Sequence, residues 1–245
     1  MPNSREGMTA VTLEHPDGTV RVVKGSGGIR LVEVRMHEEG RFCSWARCET
    51  RYPIALIEAI LGAKGPSYVC DEIQRDKNPK YVQTQLNNDL LSYIDPSAFA
   101  GRRILDLGCG CGSSTAILGR MFPDSEIVAV DLLPEYVAVA RAQVEHHGYD
   151  RVRVLLSPAP DRLPDGIGRF DFIVLSAAYE HVLPGERRSL TARLWEALIP
   201  GGVLFINQTP YRWSLIESHT SGLPFLNYLA AFLTVRLRVG SRNGA

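Results

Sequence analysis

The sequence predicts an α/β fold: a doubly wound, mostly parallel sheet with helices on both faces, preceded by an N-terminal extension of strands and helices. Three observations predict it. Residues 104–107, apolar apart from Asp106, lead directly into Gly108, Gly110 and Gly112, as in a buried parallel strand that ends in a tight turn. Asp131 ends the next apolar run, 19 residues after Gly112, close to the separation of about 20 expected between such a turn and a ribose-binding acid. Three further apolar runs then follow in order as far as Ile206.

The N-terminal extension, residues 1–84, differs in character from the rest of the chain, which we take as one domain over residues 85–245. Short alternating runs at 10–14, 19–23 and 29–35 predict an antiparallel meander. An apolar stripe after Tyr52 predicts a helix that stops near Gly62, and a second helix is expected from about Pro79 to Ile94.

Residues 65–77 lie between these two helices and contain a dense set of polar side chains. We expect a loop here. Its charged residues are candidates for a lid over a bound ligand, and a solvated helix connection is an equal alternative; these residues are Asp71, Glu72, Arg75 and Asp76.

The glycine turn leads into a helix that runs to Met121. Ser113, Ser114 and Thr115 offer hydroxyl and backbone N–H groups at the helix start, which favours a carboxylate or another polar ligand group there. The glycine spacing is Gly-x-Gly-x-Gly, and Ser113 stands where the dinucleotide fingerprint requires its third glycine. A dinucleotide is therefore disfavoured as the ligand.

The run Ile104–Gly112 resembles motif I of the class I S-adenosylmethionine-dependent methyltransferases, a family with a Rossmann-like fold. The resemblance implies S-adenosyl-L-methionine as the cofactor. It implies that Asp106 helps to hold the methionine amino group, that Asp131 binds the ribose hydroxyls and that Leu132 lies beside the adenine. The full set of cofactor residues that it implies is Asp106, Gly108, Cys109, Gly110, Gly112, Ser113, Asp131, Leu132, Ala159 and Ser176.

The later segments follow the family's order over roughly residues 85–210. The third, fourth and fifth strands are expected at 152–156, 170–175 and 198–206. Ala159 stands where the family often has an acid near the adenine amino group, so recognition of adenine falls to Asp161 or to backbone groups. A strand at 233–239 is also expected, and either the N-terminal strands complete the sheet or the sheet is short at that edge.

Histidines near the strand ends are the candidate bases, because an alcohol acceptor must lose its proton and histidine titrates nearest neutrality. Glu180 and His181 follow the fourth strand, and Glu217 and His219 follow the fifth. Residues 176–182 resemble the Glu-His-Val segment of many small-molecule methyltransferases. Residues 216–224 resemble a pattern in methyltransferase-domain proteins linked to glycan or small-molecule modification. Capping by Glu180 and simple packing of either histidine are the structural alternatives.

The expected acceptor is a hydroxyl of a small molecule or glycan, bound in part by the segment 209–245. A carbon or nitrogen acceptor, such as a quinone-like or amino compound, and a non-catalytic module that binds S-adenosylmethionine are the alternatives. His146 and His147 end a helix before Gly148, where positive charge suits the helix dipole, and are expected to be structural.

Composition excludes several classes of function. Lys plus Arg equals Asp plus Glu at 27 each, which gives no reason to expect a nucleic-acid partner. No apolar run reaches the roughly 18 to 20 residues of a membrane span, and the polar start lacks a signal peptide, so a cytoplasmic protein is expected. The five cysteines form no paired framework; Cys109 and Cys111 are expected to pack rather than to bind a metal, and no metal site is predicted. A homodimer is left open.

Overall fold

The N-terminal extension forms its own antiparallel sheet in the computed structural model, which describes residues 10–208. Strands β1 (Ala10–His15), β2 (Gly18–Lys24), β3 (Arg30–Met36) and β4 (Arg47–Thr50) pair in chain order. The predicted meander is confirmed. The short β4 was missed, because four residues are too few to show an alternating pattern. Within residues 10–208 this sheet stays separate from the parallel one, so β1–β4 do not complete it.

Three helices follow: α1 (Ile54–Lys64), α2 (Pro66–Lys77) and α3 (Val82–Leu91). The prediction of a loop over 65–77 is wrong. Pro66 occupies the first turn of α2, where its missing N–H costs nothing, and Val69, Cys70 and Ile73 form a buried apolar stripe. Helix α3 was predicted correctly but is shorter than expected at both ends.

The polar residues that suggested an exposed lid are mostly buried in α2. Asp71, Glu72 and Asp76 are 4%, 5% and 3% exposed, and all three take part in ion pairs or hydrogen bonds. A sequence pattern counts such residues as polar and therefore as exposed. Glu72 and Asp76 also have partners far along the chain, in α4 and α5, and a local pattern cannot show these contacts.

The second part of the chain is a doubly wound α/β fold, as predicted. Its elements are β5 (Arg103–Leu107), α4 (Ser113–Met121), β6 (Glu126–Asp131), α5 (Pro134–His147), β7 (Val152–Leu156), β8 (Phe170–Ser176), α6 (Pro184–Ala197) and β9 (Leu198–Asn207). The five strands are parallel in the order β7-β6-β5-β8-β9. The winding reverses between β5 and β8, and ligands bind at the carboxyl ends of the strands at such a point.

Helices cover both faces of this sheet. Side chains of α3 and α4 pack with Ile104 and Phe172 on one face, and α5 extends that layer over Ala129. Side chains of α6 pack with Leu105 and Ile173 on the other face. A further core joins the N-terminal sheet, α1 and α2 to Cys111 and Val139, which belong to the glycine turn and to α5. The extension therefore packs directly on the predicted ligand site.

No helix within residues 10–208 is long and apolar enough to cross a membrane.

Candidate active site

A cavity of about 680 Å³ opens at the carboxyl ends of the parallel strands. Its wall combines residues of the glycine turn, of the loops after β6, β7 and β8, and of α1 and α2. The predicted site residues on this wall are Gly108, Cys109, Gly110, Ser113, Asp131, Leu132, Ala159, Ser176, Glu180 and His181. Asp106 and Gly112 lie behind it. The structure thus brings together residues from four separate segments that the sequence placed at one edge of the sheet.

The three glycines of the turn have left-handed backbones, with φ of 76° at Gly108, 55° at Gly110 and 97° at Gly112. A Cβ on Gly108 would lie 2.5 Å from the Cβ of Ala178, and one on Gly112 would lie 2.9 Å from the Cα and Cβ of Ala140. These two positions need glycine for packing. A Cβ on Gly110 would meet nothing within 4 Å, so this position leaves space at the cavity wall for a ligand.

Cys109 and Cys111 sit between these glycines and are buried. Burial raises the pKa of the Cys111 thiol to about 12, so it stays protonated at neutral pH. Over residues 10–208 no group of three or more His, Cys, Asp or Glu is arranged to hold a metal ion.

Asp106 is almost fully buried at the end of β5. Its Oδ2 accepts hydrogen bonds from Ser114 Oγ at 2.8 Å and Thr115 Oγ1 at 2.6 Å, which ties the strand to the start of α4. Its Oδ1 is buried and has no hydrogen-bond partner among the residues that the structure describes. Burial raises the pKa of this carboxyl to about 6, although the two hydroxyls oppose the shift. An unpartnered buried carboxylate oxygen fits the predicted role with a ligand ammonium group.

Asp131 joins the end of β6 to the glycine turn. Its Oδ2 accepts from the backbone N–H of Gly110 at 2.8 Å, and its Oδ1 accepts from that of Leu133 at 3.0 Å. Each carboxylate oxygen keeps a lone pair, and the side chain is on the cavity wall. The neighbouring Leu132 is exposed there. This arrangement suits the predicted contacts with ribose hydroxyls and adenine.

The structure of the loop after β7 bears on the two predicted ways of recognising adenine, by Asp161 or by backbone groups. Asp161 Oδ2 accepts from Ser189 Oγ at 2.9 Å, and Asp161 is not among the wall residues. Ser157 Oγ lies 3.0 Å from the carbonyl oxygen of Ala159 and 2.6 Å from that of Arg162, and its single proton serves these two acceptors. These contacts hold the loop in the fold that brings Ala159 to the wall. The structure favours backbone groups, and their contact with adenine stays a prediction.

Glu180 and His181 lie in a single 3₁₀ turn, Tyr179–His181, after β8. Arg187 fixes this turn by donating to the carbonyls of Glu180 at 3.3 Å and Val182 at 2.9 Å. His181 is exposed on the cavity wall. Glu217 and His219, together with the segment 209–245, lie outside the described residues.

Two residues at the strand ends beside this turn have left-handed backbones although they are not glycine. Ala177, after β8, has a φ of 51°, and Gln208, after β9, has a φ of 58°. Both lie on the cavity wall, and Gln208 Nε2 donates to Ser176 Oγ at 3.0 Å. The sequence did not predict Gln208 as a site residue, since neither alanine nor glutamine is typical of a left-handed backbone position.

Two cations on the wall come from the N-terminal extension. Lys64 Nζ lies 3.4 Å from Glu72 Oε1 and 4.5 Å from the ring centre of Tyr136. Arg75 Nε donates to Asp71 Oδ2 at 2.8 Å. Lys64 was not predicted. Arg75 was named as part of a lid, and it does face the cavity, but from a packed helix.

A family model described as "Methyltransferase domain" matches residues 104–202, from β5 into β9. Residues 104–202 therefore form a class I, S-adenosylmethionine-dependent methyltransferase domain. The match begins at the motif I strand, so the family and fold class predicted from that motif are confirmed. The domain's class uses S-adenosylmethionine as its methyl donor.

Curated relatives of the methyltransferase domain carry different names. A protein-L-isoaspartate O-methyltransferase of Nitrobacter winogradskyi is 42% identical over 93 residues, which are 38% of this chain and 40% of that protein. A trans-aconitate 2-methyltransferase of Methylobacterium radiotolerans is 35% identical over 44% of this chain and 38% of the relative. A ubiquinone biosynthesis O-methyltransferase of Xanthomonas oryzae pv. oryzae is 34% identical over 53% of this chain and 54% of the relative. The chain spans about half the length of these relatives or less.

Solved structures similar to this chain include the glycopeptide N-methyltransferase MtfA with S-adenosylmethionine, at a TM-score of 0.43 and 22% identity over 50% of this chain and 53% of that one. The CcbJ methyltransferase of Streptomyces caelestis has a TM-score of 0.41 at 22% identity, over 45% of this chain and 44% of that one.

Proposed function

We propose that this protein binds S-adenosylmethionine in the cavity and transfers its methyl group to a hydroxyl of a small-molecule or glycan acceptor. One observation carries the proposal. The same cavity wall includes the glycine turn with Asp131 and, from a different strand end, the exposed imidazole of His181. A cofactor group and a candidate base therefore share one space.

The cofactor supplies a methyl group on a positively charged sulfur, which is already a good leaving group. The protein's task is to hold donor and acceptor in line and to exclude water. Asp131 accepts from the ribose hydroxyls with the lone pairs that Gly110 and Leu133 leave open. Asp106 Oδ1 attracts the ammonium group from behind the turn.

The cofactor's carboxylate needs positive partners, and the wall offers two. Arg75 uses only its Nε in a hydrogen bond to Asp71, and the rest of its guanidinium edge has no hydrogen-bond partner within residues 10–208. Lys64 is held by Glu72. We assign the carboxylate to these two side chains.

A hydroxyl acceptor must lose a proton as the methyl group arrives, and we assign this proton to a ring nitrogen of His181, which lines the cavity. Glu180 accompanies it in the same turn. The relatives' names refer to isoaspartate in a protein, trans-aconitate and ubiquinone biosynthesis, so they do not converge on one acceptor.

Isothermal titration with S-adenosylmethionine tests the first half of this proposal. The wild-type protein should bind, and Asp131→Ala should weaken binding strongly. Asp165→Ala is the matched control, because Asp165 is an exposed acid outside the cavity wall. Absence of binding, or equal affinity in wild type and Asp131→Ala, would contradict the proposal.

An acceptor panel of alcohols, phenols, amines and quinone-like compounds tests the second half. Transfer to a hydroxyl that is lost in His181→Ala or His219→Ala supports it. Transfer to nitrogen or carbon that survives loss of both histidines favours the alternative reaction. Binding of the donor without transfer to any acceptor favours a non-catalytic module.

A further inference from the structure

Helix α2 carries two buried acids one turn apart, Glu72 and Asp76, whose contacts lead to the glycine turn. Burying a carboxylate is costly unless it is paired and hydrogen-bonded. Both acids meet that condition, but their partners belong to different parts of the chain. The contacts therefore connect the N-terminal extension to the methyl-donor site.

Glu72 contacts the first residue of α4. Ser113 Oγ donates to Glu72 Oε2 at 3.0 Å in a buried hydrogen bond, and Ser113 directly follows Gly112. Lys64 lies 3.4 Å from the other oxygen of the same carboxylate. Glu72 thus fixes the point where the glycine turn becomes a helix.

Asp76 reaches the same turn through two intermediate side chains. The amide of Gln143, fully buried in α5, is assigned the orientation in which its nitrogen donates to the carbonyls of Gly112 at 3.1 Å and Cys111 at 3.3 Å, because in the other orientation its oxygen would face only these acceptors. The Tyr52 hydroxyl lies 3.0 Å from the Gln143 amide oxygen and 2.7 Å from Asp76 Oδ2, and its single proton serves these two acceptors.

Two further side chains, Arg120 and His147, contact Asp76 in turn. His147 Nε2 lies 2.8 Å from Asp76 Oδ2, and an Arg120 nitrogen lies 3.3 Å from Asp76 Oδ1. The two histidines at the end of α5 were expected to be structural, and His147 is now seen to support this network.

We propose that Glu72, in the extension, and Gln143, in α5 and in contact with Tyr52 of the extension, are positioning residues that hold the glycine turn in the conformation that receives the methyl donor. Asp131 supports the turn at Gly110, Glu72 supports it at Ser113 and Gln143 supports it at the Gly112 carbonyl. The N-terminal extension is then a working part of the donor site. This inference rests on the proposed function.

A double-mutant cycle tests the Glu72 contact, with affinity for S-adenosylhomocysteine measured by calorimetry. Glu72→Ala and Ser113→Ala should each weaken binding about tenfold, the value of one hydrogen bond to a charged group. Glu72→Ala also removes the partner of Lys64, and Ser113→Ala also removes a hydroxyl from the cavity wall. Because both changes remove the same bond as well, the double variant should lose less affinity than the two single losses combined. Glu72→Gln keeps a hydrogen-bond acceptor and should retain most of the affinity. Glu58→Ala, an exposed acid on α1, is the control and should bind as wild type does.

Gln143→Met gives an independent test, because it keeps the side-chain size but removes both amide donors. It should weaken binding about tenfold, while Gln85→Met on the exposed face of α3 should not. Thermal melts without ligand show that each variant is folded. Unchanged affinity in Gln143→Met, or additive losses in the cycle, would overturn the positioning role. A wild-type protein that does not bind S-adenosylhomocysteine would instead contradict the proposed function.

Discussion

At the scale of single residues, the site depends on charged side chains that are removed from water. Asp106 and Asp131 could be placed from the sequence, because motif I and the spacing to the next strand end fix their positions. Lys64 and Arg75 could not, since they reach the cavity from helices 42 and 31 residues before Asp106 and no local pattern indicates that contact.

Asp106 predicts a pH dependence of donor binding. Its pKa is raised to about 6, so the carboxylate is ionised above that pH and neutral below it. Affinity for S-adenosylhomocysteine should fall as the pH is lowered from 7.5 to 5, because the ammonium group loses its partner. In Asp106→Asn the pH dependence should be lost, which calorimetry across this range can show.

The same raised pKa affects stability in the opposite sense. Between about pH 4 and 6 the folded chain holds a proton on Asp106 that the unfolded chain has released. This residue's contribution to the stability of the ligand-free protein therefore declines as the pH rises through that window.

For donor binding, the contradicting result is an Asp106→Asn variant whose affinity for S-adenosylhomocysteine changes with pH as that of the wild type does. It would exclude the assignment of Asp106 to the ammonium group.

Arg75 predicts a difference between two ligands. Arg75→Gln should weaken binding of S-adenosylhomocysteine about tenfold, through loss of a charge-assisted hydrogen bond to the carboxylate. Binding of 5′-methylthioadenosine, which lacks the amino-acid part, should not change. Arg188→Gln on α6 serves as the exposed control. Equal losses for both ligands would show that Arg75 acts on the cavity as a whole.

At the scale of elements, the hydrophobic pattern predicted the parallel strands well, because each is a mostly apolar run and the three central strands, β6, β5 and β8, are buried on both faces. It failed at α2, where the face that packs on the rest of the fold carries Asp71, Glu72 and Asp76. From the sequence, a helix face with three acids is predicted to be exposed, because the side chains that pair with the acids are not evident. The partners of Asp76 include Arg120 and His147, which are 44 and 71 residues away.

The glycine turn predicts that two similar substitutions have different effects. Gly112→Ala should lower the free energy of unfolding by about 2–3 kcal/mol, because its Cβ would crowd the Ala140 backbone at 2.9 Å. Gly110→Ala should cost only about 1–2 kcal/mol for the left-handed backbone, since nothing lies within 4 Å of its Cβ.

For affinity toward the ligand, we expect the larger loss in Gly110→Ala and the smaller loss in Gly112→Ala. A methyl group on Gly110 enters the space left for the donor, so Gly110→Ala should lose more affinity for S-adenosylhomocysteine than the loss of stability explains. Urea unfolding and calorimetry on the same samples separate the two effects. Equal affinity of Gly110→Ala and wild type would place the donor elsewhere on the wall.

At the scale of the whole molecule, the division at residues 84 and 85 stays a prediction. The core formed by β1–β4, α1 and α2 includes Cys111 and Val139, which lie beyond that boundary in sequence. Sequence reasoning predicted both parts of the chain but not the core that they share, because such a core depends on side chains that meet only in the folded protein.

The shared core predicts how the molecule responds to its ligand. Saturation with S-adenosylhomocysteine should slow hydrogen exchange at the glycine turn and also along α2, residues 66–77, through the contacts at Ser113 and Gln143. The outer strand β1 should exchange as it does without ligand. Hydrogen exchange followed by mass spectrometry measures this, and protection limited to residues 108–115 would show that the extension does not respond.

The left-handed backbones at Ala177 and Gln208 have a consequence for how this protein can change over evolution. A side chain with a Cβ costs about 1–2 kcal/mol in that region, and glycine would relieve most of the cost. The chain retains these two strained backbone conformations at the strand ends beside His181, where an acceptor is expected. Selection for stability alone would favour glycine at both positions. At Ala177 and Gln208, selection for stability and selection for catalysis therefore favour different residues.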